Sequence, residues 1–170
     1  MNDAKRLFFR FFVMDSVGEE IFRILTRNDL QQNCSQGSFF LVRAALARGE
    51  DVNGVSMGCQ TGLMCAVMRG HNSIVRLLLE QTTVDLNFTD NSRSTTLHYA
   101  AECDNFEAVR LLLSDSRLNC VNLKDRYGKT PVMNAMFYKK ENVLRELVAN
   151  PTVDLDTRDG KWRSLEEVAR

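Results

Sequence analysis

The feature that most constrains this chain is an internal repeat with a period of 34 or 35 residues. An Asn or Asp recurs at intervals of 34, 35 and 34 residues: Asn53, Asn87, Asn122 and Asp156. Eight residues after each of them comes a hydroxyl side chain: Thr61, Thr95, Thr130 and Ser164. Because a unit of this size cannot bury its own apolar face, we expect a stack in which neighbouring units cover one another.

Each unit carries the pattern of two short helices. The hydroxyl can cap the first helix, and Pro131 stands at the first helical position, where proline is tolerated. First helices are predicted at residues 62–69, 96–103 and 131–138, and a dense apolar run after each predicts a second helix. A two-residue break separates the two helices: Gly70 and His71, Asp104 and Asn105, Lys139 and Lys140. An earlier unit without the hydroxyl is visible at residues 29–35 and 39–47.

Residues 95–101 have the sequence T-T-L-H-Y-A-A, and weaker copies of it stand at residues 61–66 and 130–135. This motif resembles the signature T-P-L-H-x-A-A of the ankyrin repeat, and the resemblance covers about residues 28–170. It implies an all-α ankyrin-repeat solenoid of stacked helix-turn-helix units joined by β-hairpin-like loops. The units are expected at about residues 28–56, 57–90, 91–125 and 126–159, with a partial unit at 160–170.

Two departures from the family pattern stand out. The hairpin position that holds Gly128 is occupied by Cys59, Arg93 and Trp162 in the other units. The helix break, where the family has glycine because the backbone turns with positive φ, holds Lys139 in the fourth unit, so Lys139 is expected to be strained. The fifth unit has only a first helix, which is consistent with a fragment of a longer protein or with a terminal half repeat.

Residues 1–27 precede the repeats and carry apolar side chains at helical spacing, which predicts two short helices divided near Gly18. We interpret them as an N-terminal helical cap that covers the apolar end of the first repeat. The alternative is an amphipathic segment that binds a membrane surface or a partner helix.

Composition excludes several classes of protein. The 22 basic and 22 acidic residues give zero net charge, which argues against a dedicated nucleic-acid binder. The longest apolar run, residues 63–68, is far too short for a membrane span. Five cysteines without C-x-x-C spacing imply neither a zinc site nor a disulfide framework, so we expect a cytoplasmic or nuclear protein with no metal and no cofactor.

No group of residues supports an enzyme. His71 and His98 are the only histidines, and neither stands near carboxylates or thiols at catalytic or metal-ligand spacing. The family resemblance implies a structural hydrogen bond for His98. Cys103 is the most exposed cysteine by repeat position, but its acidic neighbours Glu102 and Asp104 disfavour a reactive thiolate.

The resemblance implies that a partner contacts the hairpin tips and the exposed side of the first helices. The candidates at these positions are Met57, Met68, Arg69, Arg126, Tyr127, Lys129, Phe137, Tyr138, Lys161, Trp162 and Arg163. Trp, Tyr and Arg are enriched in binding hot spots. In the alternative interpretation Phe137 packs inward and Trp162 covers the end of the stack. A surface for single-stranded nucleic acid is the weaker option, because acidic residues such as Asp154 and Glu166 lie close in sequence.

The sequence therefore predicts a monomeric, non-catalytic module that binds a partner protein. Two alternatives are a regulatory or substrate-recruiting fragment of a larger protein, such as a ubiquitin-ligase adaptor or an enzyme, and a structural spacer. The family is also known for hydroxylation of hairpin asparagines, and Asn87 fits that pattern best, with Leu79 and Asp85 before it. Otherwise Asn87 is a purely structural loop residue.

Overall fold

The structure is a computed structural model that describes residues 30–159. Within that range the chain forms eight helices in four pairs: α1 (Leu30–Gln36), α2 (Phe39–Ala47), α3 (Gly62–Met68), α4 (Asn72–Leu79), α5 (Thr96–Glu102), α6 (Phe106–Leu113), α7 (Pro131–Phe137) and α8 (Glu141–Ala149). The predicted first helices are each one residue longer than observed at the C-terminal end, because Arg69, Cys103 and Tyr138 are helix caps. The predicted N-terminal cap and the candidates Lys161, Trp162 and Arg163 lie outside the described residues.

The helices form two layers. The first helices α1, α3, α5 and α7 pack side by side, and the second helices α2, α4, α6 and α8 form the layer behind them. The core lies between the layers and is built from aliphatic side chains that are almost completely buried: Val42, Leu63, Ile74, Leu78, Leu97, Val109, Leu112, Val132, Val143 and Leu147. Each unit buries its apolar residues against the next, as expected for a solenoid.

The repeated threonines begin the first helices. Thr61 Oγ1 accepts a hydrogen bond from the Met64 N–H at 3.3 Å, and Thr95 Oγ1 accepts one from the His98 N–H at 3.4 Å. The Thr130 hydroxyl makes no such bond, although the backbone at Thr130 is extended like that at the other two threonines. The prediction of a cap by Thr130 is therefore wrong, and the difference lies in the side chain and not in the path of the backbone.

The backbone turns sharply at the same position in every unit. The residue with positive φ lies between the two helices of each pair, with φ of 76° at Gly37, 74° at Gly70, 59° at Asp104 and 54° at Lys139. The left-handed geometry expected for Lys139 is therefore present. Cys59 and Arg93 also have positive φ, of 56° and 59°, at the hairpin position where Gly128 has 75°. Non-glycine residues at these sites carry a cost of about 1–2 kcal/mol.

The repeated asparagines connect successive loops. The Asn87 side chain donates from Nδ2 to the Arg117 carbonyl oxygen at 2.9 Å, and its Oδ1 accepts from the Asn119 N–H at 2.7 Å. Asn53 and Asn122 make the equivalent pairs of bonds to the loops that follow them. The repeat spacing therefore reflects one asparagine per unit. Its side chain bonds to a main-chain carbonyl oxygen and to a main-chain N–H of the next loop.

Candidate functional site

Hairpin tips and first-helix ends meet on one side of the stack. In the second unit Gln60 Nε2 lies 3.7 Å from Met68 Sδ, and at the equivalent positions of the fourth unit Lys129 Nζ lies 3.5 Å from the centre of the Phe137 ring. Adjacent tips also touch, because the Arg126 N–H donates to the Ser92 carbonyl oxygen at 2.8 Å. We call this surface the tip–helix face; it comprises residues 56–60, 68–69, 90–94, 102–103, 125–129 and 137–140.

The fourth unit places five of the candidates in one cluster, which we call the aromatic–basic cluster: Arg126, Tyr127, Lys129, Phe137 and Tyr138. The Arg126 guanidinium lies 5.5 Å from the Tyr127 ring centre, and the Phe137 and Tyr138 rings meet edge to face with centroids 5.1 Å apart. All three rings are exposed, Tyr127 to 65%, Phe137 to 46% and Tyr138 to 42%. The alternative in which Phe137 packs inward is wrong: the core side of α7 is filled by the residues before it, 131–135.

The second-unit candidates lie apart from this cluster. Met57 is fully exposed at its hairpin tip, Arg69 is exposed at the end of α3, and Met68 is half-buried. The third unit stands between the two groups and presents polar residues at the equivalent positions, among them Ser92 and Glu102. The structure therefore divides the face into an apolar end at the second unit and an aromatic, basic end at the fourth.

Tyr99 borders this face and supports two of its hairpins, and the sequence analysis missed it. Its hydroxyl donates to Asp90 Oδ2 at 2.5 Å and accepts from Gln60 Nε2 at 3.0 Å, so it links two hairpins. Burial and the hydrogen bond to Asp90 raise the pKa of Tyr99 to about 12. Tyr99 occupies the unspecified position of the T-P-L-H-x-A-A motif, so the motif gave no signal for it; an aromatic residue there, on the exposed side of the first helix, was the available clue.

The acidic residue at the base of the third and fourth tips is turned into the hairpin. Asp90 Oδ1 accepts from the N–H groups of Ser92 and Ser94, both at 2.8 Å. Asp125 Oδ1 likewise accepts from the N–H groups of Tyr127 and Lys129, at 2.8 and 2.9 Å. Both aspartates are more than nine-tenths buried. The charges that the third and fourth tips present to solvent are consequently positive.

The histidines hold the units together. His98 Nδ1 accepts from the Thr95 N–H at 3.1 Å, so Nε2 carries the proton and donates to the Lys129 carbonyl oxygen at 3.0 Å. Burial lowers the pKa of His98 and favours this neutral form. His71 Nε2 lies 3.1 Å from the Ser35 carbonyl oxygen of the first unit. The structural hydrogen bond expected for His98 is therefore present, and both imidazoles connect neighbouring units.

Burial disfavours the thiolate form at four of the five cysteines. All five cysteines are free. Burial raises the pKa of Cys34 to about 12 and also raises the pKa of Cys65, Cys120 and Cys103, with Glu102 adding to the effect at Cys103. Within residues 30–159 no group of three or more His, Cys, Asp or Glu side chains is arranged to hold a metal ion.

Comparison with known families decides what this fold is. A family model described as ankyrin repeats (3 copies) matches residues 30–121 and, in a second register, residues 63–159. The chain belongs to the ankyrin-repeat family. Ankyrin repeats generally mediate protein–protein interaction, and the four helix pairs, hairpin tips and signature His98 of this chain are those of the family. In the part of the chain that the structure describes, no helix has the length and apolar character needed to cross a membrane.

Three curated relatives show how the similarity is distributed. The NAD-dependent deacetylase sir2B of Dictyostelium discoideum is 33% identical over 50% of this chain, which spans 10% of that protein. The putative ankyrin repeat protein YahD of Escherichia coli is 31% identical over 69% of this chain and 60% of its own length. A putative ankyrin repeat protein of Rickettsia bellii is 26% identical over 67% of this chain and 68% of its own length.

Proposed function

We propose that this chain is a non-catalytic module that binds a partner protein on its tip–helix face, centred on the aromatic–basic cluster. The observation that carries the proposal is the exposure of three aromatic rings in one unit, two of them contacted by a cation of the same hairpin. Aromatic and Arg side chains provide most of the energy at binding hot spots, because they offer large areas with few rotatable bonds.

The cluster is supported by a rigid base. Lys129 is held through its main chain by His98 and Asp125, and Tyr127 through its N–H by Asp125. Phe137 and Tyr138 follow directly on the buried part of α7. A surface fixed in this way loses little conformational entropy when a partner binds, which favours affinity.

The remaining features support a non-catalytic protein of the cytoplasm or nucleus. Both nitrogens of His98 are used in structural hydrogen bonds, and the thiol pKa values are shifted away from reactivity. Five free thiols are typical of a reducing compartment, where disulfides are rare. We further propose that the chain acts as a monomer.

The test compares two matched variants in quantitative affinity purification. The double variant Tyr127→Ala, Tyr138→Ala removes two exposed rings from the cluster. Phe40→Ala removes a ring that is 78% exposed on α2, away from the tip–helix face. Proteins that bind through the cluster are retained by the wild type and by Phe40→Ala, and are lost from the double variant, with a loss of affinity of roughly 2 kcal/mol or more.

Circular dichroism distinguishes lost binding from lost folding. Helicity and melting temperature are expected to stay close to wild type in both variants, because the deleted rings are exposed. A sharp fall in melting temperature with undiminished binding by the folded fraction would show that the tyrosines belong to the core and that the cluster is not the binding surface.

A second candidate function is a regulatory or substrate-recruiting part of a larger protein, such as a ubiquitin-ligase adaptor or an enzyme. The observation that favours it is the similarity to a deacetylase of which this chain spans only 10%. Sequencing the transcript in both directions tests it. A reading frame that continues into a catalytic domain or an adaptor motif supports the larger protein, and a frame closed by in-frame stop codons both upstream of Met1 and directly after Arg170 argues for the binding module alone.

A further inference from the structure

The cations of the tip–helix face have no acidic partner. The ion pairs of the described residues join Arg48 to Glu50, Arg76 to Glu107 and Arg117 to Asp115, and all of them lie on the second helices or on the loops away from the tips. The cations of the face stand outside these pairs: Arg69, Arg93, Arg126, Lys129, Lys139 and Lys140. On this face six cations stand beside three carboxylates, those of Asp90, Glu102 and Asp125, so a chain with zero net charge has an excess of positive charge on one surface.

These cations flank the exposed rings from two sides. Arg93 and Arg126 stand on adjacent tips that are joined by the hydrogen bond from the Arg126 N–H to the Ser92 carbonyl oxygen. Arg69 and Lys140 stand at the other side, near the ends of the helices, and both lie near Cys103. The Asp90 and Asp125 carboxylates lie inside the hairpins, where they accept backbone hydrogen bonds; they reduce the positive potential of the tips but form no ion pair with Arg93, Arg126 or Lys129.

Resting on the proposed function, we propose that the partner segment bound by the tip–helix face is acidic, with Asp or Glu side chains that pair with Arg93, Arg126 and Lys129. A surface on which cations outnumber carboxylates has a positive potential, which favours and accelerates association with an acidic segment. The apolar end of the face, around Met57 and Met68, then contacts the uncharged part of the same segment.

A peptide fits this face better than a single-stranded nucleic acid. Bases bind by stacking on open aromatic faces. Lys129 Nζ already covers one face of Phe137 at 3.5 Å, and the Arg126 guanidinium covers one face of Tyr127. Glu102 lies near Tyr138, where it contributes to raising the pKa of that residue, and would repel a phosphate backbone. A peptide carries negative charge only at its acidic residues, so it can place an uncharged residue next to Glu102, which a phosphate backbone cannot do.

The experiment selects ligands without assuming their charge. A random dodecapeptide phage library is panned on the full chain, and the Kd of each enriched peptide is measured by fluorescence anisotropy against three proteins. These are the wild type, the face variant Arg93→Gln, Arg126→Gln, and the control variant Arg43→Gln, Arg145→Gln, which removes two exposed arginines from second helices. A twelve-residue oligothymidylate and a Gln/Asn version of the best peptide serve as further probes.

The enriched peptides are expected to be rich in Asp and Glu. Their affinity is expected to fall about five- to tenfold in the face variant and less than twofold in the control variant. It should also weaken when ionic strength rises from about 0.05 to about 0.3 M, because salt screens exposed pairs. Equal binding of the Gln/Asn peptide, or tighter binding of the oligothymidylate, overturns the acidic partner.

The outcomes separate this inference from the proposed function. Neutral or basic peptides that lose affinity on Tyr127→Ala leave the tip–helix face as the binding surface and refute only the acidic partner. A selection in which no peptide depends on Tyr127, Arg93 or Arg126 counts against both.

Discussion

His98 Nε2 donates a hydrogen bond of 3.0 Å to the main-chain carbonyl oxygen of Lys129, so the third unit fixes the base of the hairpin that carries the aromatic–basic cluster. The Lys129 side chain continues from this anchored backbone to the Phe137 ring. The histidine of the T-P-L-H-x-A-A signature in one unit therefore positions the candidate binding surface of the next, although its own side chain is buried.

The His98 bond predicts a pH dependence of stability. Burial depresses the pKa of His98 below its ordinary value of 6.5, so the unfolded chain takes up a proton at a higher pH than the folded chain. Stability is therefore complete above about pH 6.5 and falls as the pH decreases through the folded-state pKa. Urea midpoints measured from pH 7.5 to 5 should fall in the wild type, and should be lower but flatter in His98→Asn. Parallel decreases in both proteins would assign the effect to other groups.

Replacement of a first-helix threonine by Val is expected to affect stability differently at Thr130 and at Thr95. Thr130 Oγ1 is buried without a hydrogen-bond partner, whereas Thr95 Oγ1 accepts from the His98 N–H and lies 2.8 Å from His98 Nδ1. A buried hydroxyl without a partner costs about 1–3 kcal/mol, and a lost cap costs about 1 kcal/mol. Thr130→Val should leave the free energy of unfolding unchanged or raise it, and Thr95→Val should lower it by about 1–2 kcal/mol. Equal destabilisation in chemical denaturation would mean that Thr130 does cap α7 in solution.

The period, the helix pairs and the helix breaks follow from the sequence, because each depends on local residues that recur at fixed spacing. The positive φ at Lys139 was predictable for this reason: Gly37 and Gly70 mark the same position in other units. The arrangement of the side chains in the candidate site was harder to predict from the sequence. Whether Phe137 faces solvent depends on how α7 rotates against α5, and the Gln60–Tyr99–Asp90 connection joins residues of three sequence segments. No single repeat contains that information.

Asn87 remains the best candidate for hydroxylation, and the structure indicates how its accessibility is limited. Its side chain bonds to Arg117, Asn119 and Cys120 in the next loop, so an enzyme must displace that loop to reach it. We expect incubation with an asparaginyl hydroxylase to add one oxygen to the peptide that contains Asn87, and to add it faster when Arg117→Ala removes the guanidinium bonds to Leu79 and Gln81. Peptide mass spectrometry measures both rates. Peptides that contain Asn53 or Asn122 provide the comparison, and an unmodified Asn87 peptide in both proteins rejects the prediction.

Lys139 and Gly70 occupy equivalent helix breaks, with φ of 54° and 74°, and allow the backbone strain to be measured in both directions. A residue with a Cβ costs about 1–2 kcal/mol in this region, whereas glycine costs about 0.5–1 kcal/mol in unfolded-state entropy. Lys139→Gly should therefore stabilise the protein slightly. Gly70→Ala should destabilise it by about 1 kcal/mol through φ alone, because a Cβ at Gly70 meets nothing within 4 Å. Gly37→Ala should cost more, since its Cβ would lie 2.6 Å from the His71 ring. The urea midpoints of the three variants give this order directly. A lower midpoint for Lys139→Gly, alongside the expected loss for Gly70→Ala, would show that contacts of the Lys139 side chain outweigh the strain of its backbone.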